Sequence, residues 1–233
     1  MINDESNEKV IEFECPHCRT SVAFRAAGFG NVQECPHCSE VLMVPVDGSR
    51  IGRKLPFPIT TPRLQLRPLT LDDFENWLEF AKDEDSHKYL WSYPPTDQEV
   101  KEFLIAHEKV RFTPGKWFLP LAIEVVSDKK IVGTMHFDLG DLEQHCQGNF
   151  EIMIHPGFRS RGFGTEAVKA MIEFGFDQIA LHDIRVMVDM RNVAGRRMVE
   201  HAGMKLEGEF FEERFVKGKW TSNSYYAAFP KAA

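Results

Sequence analysis

Cys15-Pro16-His17-Cys18 and Cys35-Pro36-His37-Cys38 are the same four residues written twice, with sixteen residues between the two copies. A C-x-x-C turn points two sulfurs the same way. Two such turns at this separation bring four thiolates to the corners of a tetrahedron, the arrangement Zn²⁺ takes in closed structural sites. A lone C-x-x-C would be shared with redox motifs; the repeated one selects a metal, with Cys15, Cys18, Cys35 and Cys38 as ligands. Ser21-Val22-Ala23-Phe24 and Val41-Leu42-Met43-Val44 follow the turns and read as short strands.

This segment resembles a zinc ribbon. With four thiolates as corners, no coordination position is left for a substrate, so the metal is structural rather than catalytic. It serves as a folding staple for a piece too short to hold a core, or as a docking module for a protein partner. His17 and His37 are read as exposed knuckle residues rather than ligands, and Cys146, alone in a polar loop, receives no role. Gly48, Gly52, Pro56 and Pro58, interspersed with Arg50, Arg53 and Lys54, mark a linker. The expected organisation is an acidic tail at 1–12, the zinc ribbon at 13–46, the linker at 47–59 and a large domain at 60–233.

The bulk numbers narrow the classes. Of 233 residues, 43% are hydrophobic and 12% aromatic, enough to bury a core. No apolar run nears the roughly 20 residues of a membrane span. The acidic N-terminus lacks the order of a signal peptide, and five cysteines without a disulfide framework fit a reducing compartment. A cytoplasmic location is expected. Net charge is −7, and neither the ribbon nor the large domain carries the basic excess of a nucleic-acid surface.

Along the large domain, Leu64 and Leu66 alternate with polar residues as in a half-buried strand. Thr70 with Asp73, and Thr96 with Glu99, look like capped helix starts; Val100, Phe103, Leu104, His107 and Val110 follow the second at helical spacing. Strands are expected at Leu119–Val126, Ile131–Leu139 and Phe150–His155, with a turn at Ser127–Lys130 between the first two. Val168, Met171, Ile172, Gly175 and Ile179 mark a helix face, Ile184–Met190 a strand, and Val193–His201 a helix stopped by Gly203. Two strands flank Lys217-Gly218. The order implies an α/β (α+β) domain with a mixed, largely antiparallel sheet flanked by helices.

Between the strand ending near His155 and a helix opening at Thr165 lies Arg159-Ser160-Arg161-Gly162-Phe163-Gly164. Glycines here let the backbone approach a ligand, and free N–H groups at a helix start attract anions. Two arginines add charge, so the loop suits a pyrophosphate. It lacks both the P-loop lysine and the dinucleotide glycine spacing. Arg159-x-x-Gly162-x-Gly164 resembles the coenzyme A loop of the GNAT acetyltransferase superfamily, and the wider context its RimJ/RimL-type branch. Thr61-Pro62-Arg63-Leu64-x-Leu66-Arg67 resembles that branch's opening strand, Trp91-Ser92-Tyr93-Pro94-Pro95-Thr96 its Pro-rich turn, and Glu166-Ala167, Asn192, Gly203-Met204 and Lys217-Gly218-Lys219-Trp220 its later landmarks.

The resemblance implies a GNAT-like fold over residues 60 to 230 and transfer of an acetyl group from acetyl-CoA to an amine, either a protein N-terminus or a small molecule. It implies that Glu151–His155 splays from Ile184–Met190, that backbone near Ile154 receives the pantetheine arm, that Arg159, Ser160, Arg161, Gly162, Phe163, Gly164 and Thr165 hold the pyrophosphate, and that Asn192 bonds the arm. Gly195 stands where the family often has Ser, so one coenzyme A contact is lost or supplied elsewhere.

Direct transfer needs a neutral amine, a polarised carbonyl and a proton for the leaving thiolate. Glu151 is the leading base and His136 the second candidate. The general acid that many relatives supply as Tyr falls to Tyr225, Tyr226 or solvent, since no Tyr lies between Tyr93 and Tyr225. Trp91 and Tyr93 are placed at the acceptor entrance. The competing function is a degenerate acyl-CoA-binding regulator whose zinc ribbon recruits a partner.

Overall fold

The computed structural model describes residues 10–15, 17–25, 31–39, 41–44, 57–107, 118–139, 147–179 and 181–230. Most of the acidic tail, the linker up to residue 56, Val110 and Cys146 lie outside them.

At the N-terminus, β1 (Val10–Glu14) pairs antiparallel with β2 (Ser21–Arg25), and β3 (Asn31–Glu34) with β4 (Val41–Val44). Each cysteine pair forms the turn of its hairpin, so four strands flank the knuckles where two were expected. The two turns close alike. Arg19 N–H donates to Cys15 O (2.8 Å) and Ser39 N–H to Cys35 O (2.9 Å). Arg19 and Ser39 both take φ of 58°.

The large domain opens with β5 (Ile59–Thr60) and β6 (Leu64–Pro68), two short strands around a turn where one strand was expected from residue 61. Residue 59 therefore belongs to the sheet, not to the linker. Helix α1 (Phe74–Ala81) follows a 3₁₀ turn, then α2 (Asp97–His107), β7 (Phe118–Val125), β8 (Ile131–Asp138) and β9 (Gln147–Ile154). Next come α3 (Phe163–Phe174), β10 (Asp183–Asp189), α4 (Val193–His201), β11 (Lys205–Val216) and β12 (Lys219–Ala228). Strand β9 starts three residues before the expected Phe150, and α3 two before Thr165. The face extrapolated through Ile179 ends in a π turn at Gly175–Ile179, where Gly175 comes so close to β10 that a Cβ would sit 2.6 Å from Ile184 Cδ1.

The strands form one eight-stranded sheet in the order β11-β12-β10-β9-β8-β7-β6-β5, antiparallel except where β9 meets β10. Because successive strand residues face opposite sides, Leu121 and Ile123 pack into the core under α3 and α4, while Ala122 joins Trp77, Phe80, Val100 and Leu104 under α1 and α2. Both faces of β7 are covered, and six consecutive residues of it are buried.

Local devices set the helix ends. Thr96 N–H donates to Glu99 Oε2 (2.7 Å) and Glu99 N–H to Thr96 Oγ1 (3.2 Å), a complete capping box. Helix α4 ends in a Schellman closure: Gly203 N–H bonds Glu200 O (3.0 Å) and Met204 N–H bonds Val199 O (3.1 Å), with Gly203 at φ 98°. Lys217 (φ 50°) and Gly218 (φ 78°) make the hairpin turn between β11 and β12, both left-handed as a type I′ turn demands.

Candidate active site and zinc site

Strands β9 and β10 share three register pairs, Gln147 with Asp183, Gly148 with Ile184 and Asn149 with Arg185. Beyond these the two strands part. Each stays bound on its outer side, β9 to β8 as far as Ile154 opposite Gly133, and β10 to β12 as far as Asp189 opposite Asn223. The parting opens a cavity of about 470 Å³ walled by Ile152, Val186, Val188, Met198 and Tyr225. A second cavity, of about 490 Å³, lies on the side of α1 and α2, among Trp77, Val100, Phe103, Pro94 and Met153. Glu151 and His136, opposite each other in the β8–β9 register, stand in the walls of both.

Among the described residues no hydrogen bond or ion pair reaches the Glu151 carboxylate; the residue keeps an exposed face, and the partial desolvation of its carboxyl between the two cavities raises its pKa above the ordinary glutamate range. His136 stacks on Phe103 (ring centroids 5.3 Å apart) and lies near Phe118 and Trp77. Burial, with a smaller contribution from His107, lowers its pKa to about 4, so the ring is neutral near pH 7. Its Nε2 is buried without a hydrogen-bond partner. The sequence placed both residues on neighbouring strands; their shared position between two cavities follows from the register.

The loop after β9 makes a 3₁₀ turn at Pro156–Phe158, in which Gly157 N–H donates to His155 Nδ1 (3.0 Å). Ser160 (φ 60°) and Gly162 (φ 79°) are left-handed, and Gly162 caps α3. Glu166 N–H is the first to bond back, to Gly162 O (3.0 Å). The N–H groups of Phe163, Gly164 and Thr165 thus have no acceptor within the helix, and they meet the positive end of the helix dipole. Gly164 is needed for packing as well, since a Cβ there would come within 2.5 Å of Met198 Sδ.

The two loop arginines behave differently. Arg161 lies over the Phe158 ring (5.0 Å). Arg159 turns back into the domain: its Nε donates to Ile154 O (3.1 Å) and its Nη2 to Ser86 Oγ (2.7 Å), with Asp83 3.9 Å away. A third arginine, to which sequence reading gave no site role, organises the loop. Arg63 donates to Glu166 Oε2 (2.6 Å) and to Arg161 O (3.0 Å) and covers the Phe163 ring at 4.7 Å. Glu166 is further held by Thr61 Oγ1 (2.6 Å). Burial alone would raise the Glu166 pKa; the bonds from Thr61 and Arg63 outweigh it and lower it. These partners lie about a hundred residues apart, and no local pattern reveals such a pairing.

Asn192 is the N-cap of α4, its Oδ1 accepting from Gly195 N–H (2.9 Å). A Cβ at Gly195 would sit 2.6 Å from Asn192 Nδ2. The glycine is therefore what lets the Asn192 amide fold over the helix start. Of the two tyrosines, Tyr225 lines the first cavity and donates its hydroxyl to Glu213 Oε1 (2.5 Å). Tyr226 is fully buried toward α4, donating to Glu200 Oε1 (2.8 Å) and accepting from Arg196 Nε (3.1 Å). Burial first, and the carboxylate partner with it, raises both phenol pKa values. Trp91 borders the first cavity and Tyr93 the second. Both rings are covered by cations of the β11–β12 hairpin: Arg214 over Trp91 (4.1 Å) and Lys217 over Tyr93 (5.0 Å).

Residues 63–205 match the family model described as an acetyltransferase (GNAT) domain. The chain belongs to the GNAT acetyltransferase family. It is an N-acetyltransferase by that membership. The relatives of this GNAT enzyme include the uncharacterized N-acetyltransferase YnaD of Bacillus subtilis, 26% identical over 172 residues that cover 72% of this chain and 95% of YnaD. The spermidine N(1)-acetyltransferase of Escherichia coli is 29% identical over 76 residues, 33% of this chain and 41% of that protein. Among solved structures, a GNAT-family acetyltransferase from Bacillus anthracis superposes with a TM-score of 0.65 at 22% identity, covering 73% of this chain and 96% of that one. The spermidine N-acetyltransferase of Vibrio cholerae, solved with CoA and spermine, gives 0.62 at 20% identity, over 72% and 96%. At these identities the structural likeness shows the GNAT fold.

The cysteines stand apart from this site in sequence and in chemistry. Cys15 Sγ lies 3.8 Å from Cys38 Sγ and Cys18 Sγ 3.8 Å from Cys35 Sγ, and all four sulfurs fall within 4.8 Å of one another. Around a zinc ion with bonds of about 2.3 Å, the corners of a tetrahedron stand about 3.8 Å apart. The four-cysteine cluster fits that ion.

Proposed function

We propose that this GNAT enzyme transfers the acetyl group of acetyl-CoA to a primary amine by direct attack, at the point where β9 and β10 part. The observation that carries the reading is Glu151: an unpaired carboxylate with a raised pKa, standing between one cavity walled by the parting strands and another reached from the helix side. Acetyl-CoA occupies the first cavity and the acceptor the second. The amine nitrogen attacks the thioester carbonyl, the C–N bond forms and the C–S bond breaks. Glu151 takes the proton the nitrogen sheds, directly or through a water, and the Tyr225 phenol protonates the leaving thiolate. A carboxylate raised toward neutrality is matched to that task, and a phenol with a raised pKa keeps its proton until the thiolate forms.

Positioning of the donor falls to the loop from Arg159 to Thr165, whose open N–H groups receive the pyrophosphate, and to backbone near Ile154. Asn192 keeps its Nδ2 as a donor toward the pantetheine arm, its oxygen being spent on the cap. Arg159 now engages Ile154 O, so a swing of its side chain toward the loop would free that carbonyl and bring charge to the phosphates together. Amine acceptors are supported by relatives named for spermidine. Cys15, Cys18, Cys35 and Cys38 would hold Zn²⁺, which ties the ribbon together and leaves no open position for chemistry. The test is calorimetric titration with coenzyme A, followed by amine-dependent release of the thiol from acetyl-CoA. Binding and release are expected; absence of coenzyme A binding by the zinc-loaded full chain would sink the reading.

A further inference from the structure

The second cavity is built for less charge than the spermidine named for the relatives would bring. Its polar groups are mostly committed. Both ring nitrogens of His87 are engaged, with Ala81 O (2.7 Å) and Ser92 Oγ (3.2 Å). Glu99 Oε2 holds the Thr96 N–H and hydroxyl in the capping box. Among the described residues, the Glu151 carboxylate and His136 Nε2 stand without partners at one end, while the other lining carboxylate, Glu99, keeps its charge within the cap. The remaining wall is aromatic and aliphatic, chiefly Trp77, Phe103, Val100, Met153 and the Pro94-Pro95 pair. At the mouth stands Tyr93, 69% exposed and covered by a lysine.

We propose that this cavity takes a single primary amine carried on a flat apolar body, an arylalkylamine, with its nitrogen between Glu151 and His136 and its ring among Trp77, Phe103 and Pro94. The one carboxylate left without a partner, Glu151, matches one nitrogen. The neutral imidazole of His136 accepts an N–H from the incoming amine without adding charge, while ring stacking and apolar burial hold the body. A polyamine would lay its further ammonium groups along the apolar wall, where the one other carboxylate among the described lining residues, Glu99, is already engaged by its cap, and an unpaired buried cation is strongly disfavoured. The inference rests on the placement of transfer at Glu151 and adds the class of acceptor.

The zinc-loaded full-length enzyme, saturated with acetyl-CoA, would be given 2-phenylethylamine, tryptamine, spermidine and a short peptide with a free N-terminal Phe, following thiol release. We expect kcat/KM for the two aryl amines to exceed that for spermidine and for the peptide by about tenfold or more, the size of discrimination apolar pockets reach. Tyr93→Glu adds a carboxylate at the exposed mouth, where folding is not at stake, and should raise spermidine turnover while lowering that of the aryl amines. Phe103→Ala should raise KM for the aryl amines with kcat nearly kept. Preference of the wild type for spermidine or for the peptide overturns the proposal, as does coenzyme A binding without turnover of any aryl amine; in these cases the donor site stands. Failure of coenzyme A itself to bind removes the transfer point, and the proposal falls with it.

Discussion

Glu151 and His136 face each other across two strands and are perturbed in opposite senses by the same cause. Burial penalises the charged form of each, raising the acid and lowering the base. For Glu151 as the proposed base, the consequence for catalysis is direct. Glu151→Gln should lower kcat by roughly 10²–10⁴ with acetyl-CoA affinity kept, since general-base terms have that size. The deficit should shrink as pH approaches the acceptor's own pKa, where the neutral amine forms unaided; steady-state kinetics across pH checks this. The acid limb of the wild-type profile should lie above the ordinary carboxylate range. Stability should move the other way, because a carboxylate whose folded pKa is raised costs stability once pH exceeds that pKa. The same variant should therefore melt no lower than the wild type at pH 8. His136 has a different window. Its folded pKa of about 4 lies below the unfolded value of about 6.5, so the unfolded chain binds its proton first. Stability is intact above about pH 6.5 and falls as pH drops toward about 4, and His136→Gln should flatten that stretch of a denaturation-versus-pH curve.

At the scale of elements, Gly162 is the position where loop geometry meets the proposed binding of coenzyme A. Its φ of 79° is open to glycine, and a Cβ there would lie 3.3 Å from Arg63 Nη2. Gly162→Val should weaken coenzyme A binding by about tenfold or more, from a left-handed cost of about 1–2 kcal/mol plus displacement of Arg63; titration of the variant measures it, and unchanged affinity would make the loop a mere surface turn. This loop was legible in the sequence because its chemistry is local: glycines, arginines and a helix start within seven residues. The caps at Thr96 and Gly203 and the turn at Lys217-Gly218 were legible for the same reason. Two things were not. Arg63 reaches Glu166 and Arg161 across the fold, and the junction of two cavities at Glu151 depends on register with β8. The expected departure at Gly195 has a local explanation in the structure, since Asn192 folds over it. Gly195→Ser should push the Asn192 amide out of its cap and lower stability by about 1 kcal/mol, readable as a drop in the denaturation midpoint.

At the scale of the molecule, the four-cysteine segment, proposed above to hold zinc, and the acetyltransferase domain draw on different sources of stability. That segment has four short strands and four clustered cysteines, whereas the larger domain has two cores on either side of its sheet. One zinc per chain is expected by elemental analysis. A strong chelator should abolish protection of strands β1 to β4 in hydrogen exchange and leave the main melting transition in place, since the metal's binding energy is the small module's folding energy. The large sheet holds a comparable economy at its centre. Three rungs join β9 to β10, so the five strands from β5 to β9 and the three from β10 to β12 are slabs seamed along a short line, with α3 bridging beneath. An acetyl donor bound as proposed would lie in that seam and act as mortar between them. At a hundredfold excess over Kd it adds about 2.7 kcal/mol to the folded state. The cell's supply of acetyl-CoA then sets more than the rate of this enzyme. We expect its proteolytic half-life to lengthen with coenzyme A in dose-dependent fashion, so that starving a cell of acetyl units would thin out the enzyme that spends them.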